Sequence, residues 1–128
     1  MTFEGDGAEL TTAARTAITS AATIVVAPSN PLVSVAPIRA LPGVDALLAE
    51  RRHHVVAISP IVGGAALKGP ADRMLVELGF DASVVGVAEL YAPIASVLVI
   101  DTVDAHLAPA VEAAGVRCVV TDLSLIHI

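Results

Sequence analysis

Aromatic side chains are nearly absent from this chain of 128 residues, which has two Phe, one Tyr and no Trp. Its core must therefore be assembled from Ala, Val, Leu and Ile, the palette of buried parallel strands and the helices laid on them. Cysteine is equally scarce. Cys118, the single cysteine, lies in the run Val116-Arg117-Cys118-Val119-Val120. It cannot form an internal disulfide, fits a reducing compartment and reads as a buried small residue. Basic charge is the third shortage. Seven Lys and Arg against thirteen Asp and Glu give a net charge of −6, the wrong sign for holding a phosphate backbone, so no nucleic-acid partner is expected. The segment Met1–Gly7 has neither the basic n-region nor the long apolar h-region of a signal peptide, and a cytoplasmic location is expected. The apolar stretch from 82 to 100 is interrupted by Glu89 and Pro93, so it reads as a helix and then a strand, with no membrane partner. A hydrophobic content of 55% suffices for one domain with a substantial core.

What the sequence does contain is an alternation of β-branched runs and Ala-rich amphipathic stretches. Residues 8 to 20 read as a helix with Leu10, Ala14, Ala17 and Ile18 on one side. Thr23-Ile24-Val25-Val26-Ala27 is a continuous run without alternation, the pattern of a strand buried on both faces, and Pro28 stops it. A loop from Ser29 to Pro37 leads into a short helix. Asp45–Arg52 reads as a helix with Glu50, Arg51 and Arg52 solvated, and His54–Ser59 as the next strand. After a loop from Pro60 to Lys68, a helix starts at Gly69-Pro70-Ala71 and is capped by Gly79. Ala82–Tyr91 is another helix, Ser96–Ile100 a strand, Asp104–Ala114 a helix closed by Gly115, and Val116–Val120 a fourth strand. This order predicts an α/β domain: a three-layer, Rossmann-like arrangement with a mainly parallel sheet over residues 1–122. The opening helix looks like the second half of a crossover, so the domain reads as truncated at its N-terminal side. The tail 123–128 follows the last strand without turn chemistry and reads as a truncation or frameshift end, which sequencing of the encoding locus tests.

Two loops stand out because each leaves the carboxyl end of a strand, where open parallel sheets bind ligands. In Ala27-Pro28-Ser29-Asn30-Pro31, Ser29 and Asn30, with Ser34 beyond, offer hydrogen bonds either to a ligand or to their own turn, and spacing alone does not choose. In Ser59-Pro60-Ile61-Val62-Gly63-Gly64, paired glycines permit close backbone approach, and the helix start near Gly69 presents free N–H groups suited to an anion. Lys68 adds a charge for phosphate, although a solvated lysine is the plainer account. Asp72 and Arg73 read as a surface pair. His53 and His54 lie away from the ligand edge, and Asp101 and Asp104 read as helix N-caps. No zinc spacing, catalytic triad or carboxylate pair stands out.

Taken together, Ala27-Pro28-Ser29-Asn30-Pro31, Ser34, Pro37-Ile38, Ser59-Pro60-Ile61-Val62-Gly63-Gly64, Lys68-Gly69-Pro70-Ala71-Asp72 and Met74 resemble the 2-phospho-L-lactate transferase family of coenzyme F420 biosynthesis. The resemblance covers residues 8 to 122 and looks closer to the actinobacterial, phosphoenolpyruvate-type branch. It implies transfer of a phospholactyl or enolpyruvyl-phosphate group from a guanosine diphosphate-linked donor to the deazaflavin Fo, with release of GMP. The implied substrate and phosphate contacts are Ser29, Asn30, Pro31, Ser34, Ser59, Pro60, Gly63, Gly64, Lys68 and Gly69. Mg²⁺ is the implied cofactor, with ligands in a family N-terminal half that this sequence does not contain, so no catalytic residue or metal ligand is assigned. The isolated chain is expected to be inactive, a homodimer of the full-length enzyme stays open, and the choice between lactate and pyruvate donors is not legible. The competing reading is a nucleotide- or nucleotide-sugar-binding module without catalysis.

Overall fold

The computed structural model of the chain describes residues 7–66 and 71–123. The first helix, α1 (Thr12–Ser20), starts where the Thr11 hydroxyl accepts the Ala14 N–H at 3.1 Å and covers a free donor of the first turn. It buries no residue completely, and Ala14 and Ile18 are half-buried on its inner side. Strand β1 (Ile24–Val26) follows. The expected loop up to Pro37 is already helical from Pro31, with a π-helical turn over Pro31–Val35 that runs into α2 (Ala36–Arg39). Asn30 explains this. Its Oδ1 accepts the N–H groups of Leu32 and Val33 at 2.9 and 3.1 Å, and Pro31 occupies a first-turn position where no N–H is needed.

Helix α3 (Val44–Glu50) and a 3₁₀ turn at Arg52–His54 precede β2 (Val55–Ile58). The arginines at this junction are not solvated as their sequence position implies. Arg51 donates to the Ala21 carbonyl, while Arg52 donates to the carbonyls of Ala92 and Gly115. The segment after β2, read from sequence as loop, folds into an antiparallel hairpin of β3 (Ile61–Val62) and β4 (Ala65–Ala66). Gly63 and Gly64 form its two-residue turn with φ of 63° and 82°, the doubly left-handed conformation that glycine adopts without strain.

Helix α4 (Ala71–Glu77) ends as expected at Gly79, where the Phe80 and Gly79 N–H groups return to the carbonyls of Leu75 and Val76 at 2.8 and 3.0 Å. Ser83 caps α5 (Val84–Tyr91), which leads to β5 (Val97–Asp101). The long helix expected from Asp104 splits into a 3₁₀ segment over Thr102–Leu107 and α6 (Ala108–Ala113). Pro109 lies in the first turn of α6; it has no N–H to donate, so the α-helical ladder begins there instead of running through. Strand β6 (Arg117–Thr121) closes the fold.

The four long strands form one parallel sheet in the order β1-β2-β5-β6, with register Val25–Val56, Val56–Val97 and Val97–Arg117. With six helices accompanying this sheet among the described residues, the fold is α/β and Rossmann-like. Each crossover moves one strand in the same direction, which for right-handed connections lays the helices on a common face. On that face Val55, Ala57, Leu98 and Ile100 are fully buried, packed with Val44, Leu75, Val84, Val87 and Tyr91. The opposite face departs from the expectation of strands buried on both sides. There Val56, Ile58, Val97 and Val99 are half-buried and Val25 is 58% exposed. The Val and Ile runs of β2 and β5 are thus fully buried on one side only, and those of β1 and β6 on neither, within the described residues.

Candidate functional site

Both loops singled out from the sequence lie at the carboxyl edge of the sheet, and the structure brings them together. The first loop turns tightly at Pro28, where the Ser29 N–H reaches the Ala27 carbonyl at 2.7 Å. Helix α4, which follows the second loop, packs against the Pro31–Val35 turn of the first. Asn30 Nδ2 lies 3.8 Å from the Met74 sulfur across this junction. The amide of Asn30 therefore serves the protein on both of its ends: its oxygen caps the turn and its nitrogen meets α4.

The two serines of the first loop are differently placed. Ser29 and Ser34 are exposed and border a cavity of about 290 Å³ that runs beside β1. Its lining is almost wholly apolar, with Ile18 of α1, Val26 of β1, Ile38 of α2 and Leu48 of α3 contributing. That volume sits at the lower end of ligand pockets and suits a ring system more than a whole nucleotide. Pro31 is buried and forms the helical turn without facing the cavity mouth.

On the second loop, Ser59 is fully buried and its hydroxyl both donates to the Ile61 carbonyl and accepts the Ile61 N–H, each at 3.0 Å. Pro60 is buried beside it. These two residues set the chain's exit from β2. Gly63 and Gly64 are exposed at the hairpin tip, but the Gly63 N–H is committed to Asp104 Oδ2 at 3.0 Å. Lys68 and Gly69 lie outside the described residues.

Sequence reading treats Asp101 and Asp104 alike, and the structure separates them. Asp101 is a cap, as expected: its Oδ2 accepts the Val103 N–H at 2.9 Å and its Oδ1 the Leu123 N–H at 3.1 Å. These hydrogen bonds, the one from Val103 first, hold its carboxyl below the ordinary carboxylate range. Asp104 caps nothing. It is 3% exposed and reaches across 41 residues of sequence to the glycine turn.

Three further residues qualify the chemistry. Tyr91 is buried with no hydrogen-bond partner for its hydroxyl among the described residues, and burial pushes its pKa far above the ordinary phenol value against the lowering pull of Arg39. It stays neutral and packs, with the Arg39 guanidinium 6.0 Å from its ring. Arg39 itself is held by Asp45 at 2.7 Å and by the Leu90 carbonyl at 3.0 Å. Cys118 is half-buried, not fully buried as read from sequence, and burial followed by the charge of Glu112 raises its thiol pKa, which disfavours a nucleophilic thiolate. Among the described residues, no group of three His, Cys, Asp or Glu side chains is placed to hold a metal ion.

Comparison with known proteins matches residues 1–126 to the family described as 2-phospho-L-lactate transferase CofD. A 2-phospho-L-lactate transferase of Methanocaldococcus jannaschii is 44% identical over 92 residues, covering 72% of this chain and 29% of the relative. The phosphoenolpyruvate transferases of Kitasatospora aureofaciens and Streptomyces griseus are 43% and 45% identical over 103 residues, 80% of this chain and 32% of each relative. The chain spans about a third of the length of the curated relatives it matches. With residues 1–126 of its 128 matched by the family's model, the chain belongs to the 2-phospho-L-lactate transferase CofD family.

Proposed function

We propose that this chain carries the carboxyl-edge part of a transferase site. The reaction moves a phospholactyl or enolpyruvyl-phosphate group from a guanosine diphosphate-linked donor to the deazaflavin Fo and releases GMP. The observation that carries this reading is the convergence of the two loops through α4 and the Asn30–Met74 contact, in a chain of this family. In such a displacement the acceptor hydroxyl oxygen bonds to the phosphorus bearing the lactyl or enolpyruvyl group, and the bond from that phosphorus to the GMP oxygen breaks. The protein's work is positioning and charge stabilisation.

In this reading the apolar cavity beside β1 takes the flat ring of the acceptor, and the Ser29 and Ser34 hydroxyls meet its polar chain. The glycine hairpin and the start of α4 face the donor phosphates, where Lys68 and Gly69 add charge and backbone N–H groups. Mg²⁺, when bound, would supply neutralisation of phosphate charge in this class of reaction. Titration of the isotope-labelled chain with GMP and, separately, with Fo tests the assignment by amide chemical shifts. GMP is expected to move Gly63, Gly64 and the first turn of α4, and Fo to move Ser29, Ser34 and Ile38. Shifts scattered over the amino edge of the sheet, or none with either ligand, would overturn it.

A further inference from the structure

We infer that Asp104 is a positioning residue for the donor-phosphate loop, setting the Gly63-Gly64 turn and turning the Gly63 N–H away from the ligand; this rests on the transferase reading above. A hairpin with only two paired positions per strand lacks the cross-strand contacts to hold itself in water. Its base is fixed, because Ile61 is fully buried and Ser59 is bonded to Ile61 on both sides of its hydroxyl. Its tip is not fixed by packing. Gly63 and Gly64 are exposed and carry no side chain, and a Cβ added at Gly63 would meet Val103 only at 3.9 Å.

Asp104 supplies the missing restraint. Burying a carboxylate is costly unless it gains a strong hydrogen bond, and among the described residues the bond it makes is the one from Gly63 at 3.0 Å. Capping of the 3₁₀ segment does not account for it, since Asp101 performs that task. The result ties the end of β5 to the turn that follows β2, at the edge where the two loops meet.

Two consequences follow for the ligand. The direction of the Gly63–Gly64 peptide is set by a side chain that touches no substrate. The Gly63 N–H, already bonded to the Asp104 carboxyl, is not a phosphate donor, so phosphate contact at this turn falls on Gly64.

The test begins with the native chain. A long-range coupling across the hydrogen bond from the Gly63 amide nitrogen to the Asp104 carboxyl carbon is expected, and its absence overturns the inference without any variant. Asp104→Ala and Asp104→Asn are then compared. In Asp104→Ala the Gly63 amide is expected to exchange with solvent about tenfold faster, the change that loss of one charge-assisted hydrogen bond implies. Leu98 and Ile100 amides stay protected, and GMP binds more weakly. Asp104→Asn keeps an acceptor oxygen and is expected to restore both the protection and the GMP affinity. Unchanged Gly63 exchange in Asp104→Ala, or failure of Asp104→Asn to restore it in a folded chain, overturns the inference. If GMP fails to bind the native chain while the coupling and exchange behave as stated, the transferase reading fails and the positioning role of Asp104 on the turn stands.

Discussion

The two ends of the parallel sheet use opposite chemistry. At the amino edge, cationic and imidazole side chains serve backbone carbonyls: Arg51 takes that of Ala21, Arg52 those of Ala92 and Gly115, and His54 Nδ1 lies 3.1 Å from that of Ala22. At the carboxyl edge, oxygen-bearing side chains serve backbone N–H groups: Asn30 for Leu32 and Val33, Ser59 for Ile61, Asp104 for Gly63, and Asp101 for Val103 and Leu123. In a parallel sheet all strands point the same way, so turns entering strands and turns leaving them collect at opposite edges. The difference teaches where an anion can bind. An N–H already capped by the protein's own oxygen is not available to a phosphate, so the ligand-facing donors at the carboxyl edge are those that Asn30, Ser59, Asp101 and Asp104 leave over.

The comparison breaks most severely at Arg52. Its one guanidinium holds the turn before β5 and the turn before β6, and no other side chain in the amino-edge set bridges two carbonyls. Arg52→Ala is expected to cost about 2 kcal/mol, the scale of hydrogen bonds from a charged group, read as a lower urea midpoint with an unchanged slope. GMP binding per folded molecule should not change, because the loss is at the far edge. A fall in GMP affinity equal to that of a carboxyl-edge variant would dissolve the division of labour between the edges. Asn30→Ala is the matching break at the other end and the next in size. It removes the cap of the Pro31–Val35 turn and the contact to Met74, with an expected cost of about 1 kcal/mol. Unlike Arg52→Ala, it should weaken Fo-induced shifts at Ser29 and Ser34, since Ser29 precedes the turn it holds and Ser34 lies within that turn.

Much of the fold could be read from the sequence because its signals are local. Pro28 ends β1, Gly79 caps α4, and the β-branched runs mark the four sheet strands in their order. The hairpin could not, because strands of two residues each are too short to show an alternating pattern, and Gly63-Gly64 reads equally as a ligand loop. Arg51 and Arg52 look solvated on a helical face, yet they meet carbonyls brought in from distant turns. Gly86, inside α5, carries no local signal that the Asp81 carbonyl occupies the space of its Cβ. In the candidate site, the sequence marked two loops that the structure places at one edge of the sheet. It did not tell exposed Ser29 and Ser34 from buried Ser59, nor the cap Asp101 from the tie Asp104, because those roles depend on partners up to 41 residues away.

The smallest expected effect sharpens the same contrast through pH. Asp101 lies at the carboxyl edge, and the N–H groups of Val103 and Leu123 lower its pKa in the folded chain. A carboxyl whose folded pKa is depressed stabilises the fold above its unfolded value, about 3.9, and that contribution is lost as pH falls through the lower folded value. The window therefore lies on the acid side, below about pH 4. The carboxylate is open to solvent, so screening keeps the effect small. Asp101→Asn leaves an acceptor for Val103 but no charge to titrate. It should have a slightly lower urea midpoint than the native chain at neutral pH and lose less stability on going to pH 3, so that the two converge in acid. His54 gives the amino-edge control: His54→Gln should leave the acid window of the native chain intact, because it leaves the Asp101 carboxyl and its two N–H donors in place. If Asp101→Asn falls as steeply in acid as the native chain, the acid sensitivity belongs to other carboxylates, and the cap at Asp101 is a geometric feature without linkage to pH.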